Sequence, residues 1–127
     1  MYNETILNIF KEMKHMGRVW GANATGEKKS ASGDIVEFYL FVNPMGMLEK
    51  ATFKAFGSPA VVAASSVLID LVLDKRIGEA VEIKPEQILE HLGELDDSRT
   101  YVAAFAIDGF LDAVKDYYTR LQKAKKD

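Results

Sequence analysis

Cysteine is absent from all 127 residues, and with it go disulfides, thiolate nucleophiles, persulfide carriers and the usual zinc and iron-sulfur sites. Histidine is almost as scarce. His15 and His91 are the only two, so a conventional transition-metal site would be short of donors. No apolar run reaches the roughly 20 residues that a bilayer span needs, and the opening MYNETILNIFKEMKHM carries Glu4 and Glu12 inside its apolar pattern, unlike a secretory leader. Positive charge is not in excess either: 16 Lys and Arg against 19 Asp and Glu leave a net charge of -3, without the basic footprint that nucleic acid requires. The cluster Lys123, Lys125 and Lys126 fits a frayed helix end better than a binding arm. These absences predict a cytoplasmic chain that engages neither nucleic acid nor membrane.

What is present is an ordinary globular composition, 48% hydrophobic and 28% charged, on a length that supports one core. The expectation is a single domain over residues 1–127. Ile6, Leu7, Phe10, Met13 and Met16 recur at helical spacing, predicting an amphipathic helix from about Asn3 to His15, ended by Gly17. Residues 21–33, GANATGEKKSASG, are small and polar and read as a loop. The runs 34–42 and 47–56, rich in β-branched and aromatic residues and split by Asn43-Pro44-Met45-Gly46, read as a hairpin. In its second strand Ala51, Phe53 and Ala55 alternate with Lys50, Thr52 and Lys54, so one face is buried and one is wet.

Ser58-Pro59 is a helix-start pair: a serine hydroxyl can accept from the orphan N–H groups, and Pro at the first helical position has no N–H to waste. The nearly all-apolar PAVVAASSVLIDLVLD that follows predicts a central, well-buried helix. A short turn near Arg76–Ala80, a helix from Pro85 to Leu92 stopped by Gly93, and a long amphipathic helix from Tyr101 to about Lys123 complete the chain. Strands early and helices late predict an α+β domain, a small antiparallel sheet of about three strands with helices packed on one face.

Several stretches together resemble one family. They are Tyr2 with the first amphipathic helix, Ser32-Gly33-Asp34, Ala51-Thr52-Phe53-Lys54-Ala55-Phe56-Gly57, Ala63-Ala64-Ser65-Ser66, Ile77-Gly78-Glu79-Ala80-Val81-Glu82-Ile83 and Leu92-Gly93-Glu94-Leu95. In this order and spacing the chain resembles the iron-sulfur cluster assembly scaffold family, the NifU N-terminal domain and IscU. The resemblance implies that family's α+β fold, and it also assigns the departures. Ser32, Ser58 and Val102 stand at the positions of the family's three cysteines, and Tyr101 at that of its histidine. Asp96-Asp97 replaces the Pro-Pro of the chaperone-recognition loop, and Arg99 the nearby lysine, so the chaperone partner is not carried over. Asp34 alone keeps the family's identity around the cluster.

Thiolates ionise readily and bind iron softly, whereas serine hydroxyls do so far less and valine offers no donor. The expectation is therefore no cofactor; iron or an iron-sulfur cluster would be held only through unconventional ligation. Ser58 reads first as a helix N-cap and Ser32 as a turn former. Asp34 reads first as the partner of Arg99 in an ion pair. The alternative is a polar pocket of Ser32, Asp34, Ser58, Arg99 and Tyr101 for an anion, or for a hard cation with Asp34 as metal ligand. Asp96 and Asp97 read as capping residues, His15 and His91 as structural residues at helix ends, and Phe38, Phe41, Phe53, Phe56 and Phe105 as core. Trp20 would mark a partner surface if exposed and a loop pin if buried.

Two functions follow from the resemblance. The first is a scaffold-like protein that has lost its cysteine ligands, not an enzyme, acting as a partner-binding or regulatory module toward a cysteine desulfurase or another iron-sulfur assembly protein. The second is a repurposed small-ligand or hard-metal-binding protein. A homo-oligomer is also open, through the apolar face of the last helix.

Overall fold

The side chain of Asn3 makes two joints. Its carbonyl oxygen accepts from the N–H of Ile6 at 2.8 Å and caps helix α1 (Glu4–Glu12). Its amide donates to the carbonyls of Leu92 and Glu94, tying the start of α1 to the far end of the chain's middle. The computed structural model describes residues 2–17, 19 and 21–126, so Trp20 lies outside the described residues. Helix α1 ends three residues sooner than its apolar spacing suggests. Met13 takes a left-handed conformation, and the chain then turns to run beside a strand, where Phe53 N–H donates to His15 O and Gly17 N–H donates to Phe53 O, both at 2.9 Å. Phe10 and Met13 consequently stay exposed while Ile6 is buried.

Three antiparallel strands follow in the order β1 (Ala24–Lys29), β2 (Ile35–Val42) and β3 (Leu48–Phe56). Gly26 pairs with Phe38 and Phe38 with Phe53, which fixes the register across the sheet. The β2–β3 turn closes as the sequence predicts, with Asn43 Oδ1 accepting from Met45 N–H at 2.9 Å and Met47 N–H at 3.1 Å.

Strand β1 lies inside the stretch that reads as a polar loop, and its partners explain the difference. Its free edge is covered by the long final helix α5 (Tyr101–Lys126), whose Asp116 Oδ2 accepts from Thr25 N–H at 2.9 Å and whose Asp112 Oδ2 accepts from Glu27 N–H at 3.0 Å. Residues four apart on a helix rise about 6 Å and residues two apart on a strand about 6.6 Å, so the two carboxylates match two successive outward N–H groups. A Cβ at Gly26 would collide with the Ala113 backbone, so only glycine permits this approach. The strand is made by distant residues, and its own six carry little signal.

Helix α2 (Pro59–Val72) runs through the middle and is buried on all sides from Ala60 to Ile69. It packs on β3 and α5, with α1 and α4 (Pro85–Leu92) against it; the short α3 (Ile77–Ala80) links them. Val36, Phe38 and Leu40 of β2 and Ala51 and Phe53 of β3 face this layer, and Phe110 of α5 meets Phe38 edge-on at 6.2 Å. Phe56, expected in the core, is 79% exposed. It alternates with the core-facing Phe53 and Ala55 and so shares the outward face with Lys54.

Candidate functional site

The β1–β2 connection is a tight loop knit by its own side chains. Ser30 N–H donates to Asp34 O at 2.9 Å, Gly33 N–H to Ser30 O at 3.1 Å, and Asp34 N–H to Ser30 Oγ at 3.0 Å. This turns the carboxylate of Asp34 inward, where the residue is only 6% exposed. Its Oδ2 accepts from Tyr101 Oη at 2.6 Å, from Ser30 Oγ at 3.0 Å and from Ser32 Oγ at 3.3 Å. The hydroxyls of Ser30 and Ser32 are themselves 3.1 Å apart.

The other side of the carboxylate meets the β3–α2 turn. Gly57 adopts φ 152° and a Cβ there would run into Asp34 Oδ1, so the turn needs a residue without one. The next residue, Ser58, donates its backbone N–H to Asp34. Its hydroxyl accepts from Val61 N–H at 3.4 Å, which is the N-cap read from the sequence. One buried carboxylate thus joins three elements: the β1–β2 loop, the start of α2 and, through Tyr101, the start of α5.

Burial pushes the Asp34 carboxyl up, but the hydrogen bonds from Tyr101, Ser30, the Ser58 backbone and Ser32 outweigh it and hold the group below its ordinary value. Tyr101 moves the opposite way. Its bond to Asp34 and its burial raise the phenol above its usual value, against the opposing bond with Ser32, so it remains a proton donor.

Arg99 does not join this cluster, and no Asp34–Arg99 ion pair forms among the described residues. Its guanidinium lies 4.2 Å from the ring centroid of Tyr2 and faces a cavity of about 460 Å³ lined also by Asn3, Glu94, Leu95 and Asp96. Stacking on Tyr2, unreadable from residues 97 positions apart, occupies Arg99 instead. Val102 is 1% exposed and part of the core. Asp96 makes no side-chain cap bond, and Asp97 begins a 3₁₀ turn, Asp97–Arg99. His15 lies beyond the end of α1, where Nε2–H donates to Asp70 Oδ1 at 2.7 Å, a tether to α2 instead of a dipole contact. There burial raises Asp70, and the bonds from His15 and Lys14 more than reverse it. His91 Nδ1–H donates to Gln87 O at 2.8 Å within α4. Ser30 is the contributor that the sequence reading missed; its spacing, Ser-x-Ser-x-Asp, was the available signal.

The model of the NifU-like N terminal domain matches residues 1–124. The chain belongs to the NifU-like N terminal domain family. Within that family it is 32% identical over 130 residues to the iron-sulfur cluster assembly scaffold protein IscU of Aquifex aeolicus, covering 98% of this chain and 83% of the relative. It is 28% identical over 125 residues to the IscU of Escherichia coli K12, covering 94% and 95%. Among solved structures it matches a candidate SUF-system scaffold protein from Fervidobacterium islandicum at TM-score 0.74 and 20% identity, over 88% of this chain and 95% of that one. The N-terminal part of a NifU-like protein from Brucella abortus matches at TM-score 0.70 and 17% identity, over 92% and 94%. These two matches show the shared fold: a three-stranded antiparallel sheet covered by helices.

In a NifU-like domain without cysteine, the donors fit an iron-sulfur cluster poorly. Ser58 Oγ is engaged in capping, Ser32 Oγ donates to Asp34, Val102 carries only methyl groups, and Asp34 Oδ2 already accepts three hydroxyl protons. Among the described residues no group of three His, Cys, Asp or Glu side chains is placed to hold a metal ion.

Proposed function

We propose that this NifU-like protein is a partner-binding or regulatory member of the iron-sulfur assembly family, keeping the scaffold's fold while holding no cluster of its own. The observation that carries the reading is the Asp34 clasp. Hydroxyls and a backbone N–H join the three elements that bear the resemblance-assigned positions Ser32, Ser58 and Tyr101–Val102. Such a closed network makes the local shape independent of cargo, because its acceptor is satisfied from within the chain. The surface around it then stays available to proteins that recognise the fold. A cysteine desulfurase or another assembly protein is the partner class, the cytoplasm is the compartment, and no catalytic step is assigned to this chain.

The alternative of a ligand or hard-metal pocket at Ser32, Asp34, Ser58, Arg99 and Tyr101 draws less support, since Asp34 is saturated and Arg99 faces Tyr2. Calorimetric titration of the purified chain with divalent cations addresses it, and saturable heat lost in Asp34→Ala would favour it. For the main reading, the purified chain is mixed with the cysteine desulfurase and with a cysteine-bearing scaffold of the same cell and followed by gel filtration. A complex formed without iron or sulfide is expected. Absence of a complex with either protein would sink the proposal.

A further inference from the structure

Helix α5 packs one face against β1, β2, α2 and α4 and exposes a stripe on the other. Along that outer face Ala104, Asp108, Leu111, Lys115 and Tyr118 recur at spacings of four and three, and all five are exposed. Leu111 is 37% and Tyr118 45% exposed, among the largest apolar side chains that the described surface shows. Asp108 and Lys115 enter no ion pair among the described residues. They stand seven residues apart, about 10.5 Å along the helix, too far to pair with each other. Nearby Asp112 and Asp116 are occupied by the backbone of β1 and take no part.

The geometry points to a second copy of this chain as the occupant of this face, bound through an antiparallel α5–α5 pairing with its two-fold axis at Leu111. In that register Leu111 meets its own copy, the small Ala104 stands level with the large Tyr118, and Asp108 of each helix lies one residue, about 1.5 Å along the axis, from the level of Lys115 of the other, on the same side of the seam and within reach of its long side chain. Small faces large and each free charge finds its opposite, both times, which is the self-complementarity that an isologous contact requires. The stripe from Ala104 to Tyr118 spans about 21 Å of helix. A contact of that length buries on the order of 1,000 Å², at the low end of specific interfaces, so the dimer is a weak, reversible one. This inference concerns the outer face of α5 and does not rest on the reading of the Asp34 site.

Sedimentation equilibrium at concentrations up to about 1 mM, which covers the weak end of specific association, tests it. A monomer–dimer equilibrium is expected. Asp108→Lys and Lys115→Asp should each weaken it about tenfold, and the double charge swap should restore it. Because the chain has no cysteine, Leu111→Cys supplies a single thiol beside its own copy and should oxidise to a disulfide dimer. Ala104→Cys, about 21 Å from its copy in this register, should not. All four positions are exposed, and circular dichroism confirms that each variant is folded. A monomer at every concentration, a dimer indifferent to the single charge changes, a swap that fails to rescue, or equal cross-linking of L111C and A104C would each overturn the proposal.

Discussion

Replacing Asp34 by alanine tests the clasp at its centre. The carboxylate accepts from Tyr101 at 2.6 Å, Ser30 at 3.0 Å, Ser32 at 3.3 Å and the Ser58 backbone. A hydrogen bond to a charged group contributes about 1.5–3 kcal/mol, but these four do not sum. Tyr101 is 41% exposed and Ser32 is exposed, so water replaces much of what they lose. Removing the buried charge also returns its desolvation cost. The net loss for D34A is about 2–3 kcal/mol, most of it from Ser30 and the Ser58 N–H. At about 4 °C per kcal/mol for a domain of this size, the Tm should fall by about 10 °C. Tyr101→Phe alone should cost about 1 kcal/mol, and next to nothing in the D34A background, since the two groups share one bond.

The acid limb gives a second readout of the same change. The folded-state value of Asp34 lies below its unfolded value, so its contribution is fully present above the unfolded value, near about pH 4, and is lost as pH falls through the folded value. Asp34→Asn should remove that part of the acid dependence while keeping the side chain's shape. Urea unfolding at neutral pH and along an acid series measures both. D34A within about 0.5 kcal/mol of the parent, or Y101F costing as much with Ala at position 34 as without, would refute the reasoning.

Other changes probe the scaffold around the site. Gly26→Ala should destabilise by about 3 kcal/mol or more, because the added methyl meets the Ala113 backbone, which cannot move without shifting α5 off β1; thermal unfolding reads this directly. Asp116→Ala should cost about 1 kcal/mol, discounted for the exposed setting of the Thr25 N–H, and should speed amide exchange at Thr25 by hydrogen-exchange NMR. Ser58→Ala removes the α2 cap for about 1 kcal/mol in urea titrations and should leave partner binding unchanged.

How much of this was legible depends on where the signal resides. Ser58-Pro59 caps α2 as read, since a cap is a contact over three residues and its chemistry is local. The hairpin turn at Asn43 and the start of α4 at Pro85 are local in the same sense. Strand β1 was not legible, because ATGEKK lacks apolar alternation and owes its conformation to β2 on one side and to Asp112 and Asp116 on the other, about 90 residues later. At the site, Asp34, Ser32, Ser58 and Tyr101 are brought together, but only the resemblance, not periodicity, could point to that. Arg99 was misassigned to Asp34 because opposite charge suggested a partner, whereas the planar guanidinium found the ring of Tyr2. Phe56 reads as core by residue type alone; its parity in β3, opposite to that of Phe53, already places it outward.

The central claim is that side chains without a thiolate, and already bonded to one another, leave this NifU-like domain unable to hold cluster cargo. Anaerobic reconstitution with ferrous iron, sulfide and reductant, followed by desalting and measurement of protein-bound iron, sulfide and visible absorption, tests it most directly. The account predicts that neither iron nor sulfide stays with the chain in stoichiometric amount. A coloured protein that retains both through gel filtration would contradict it.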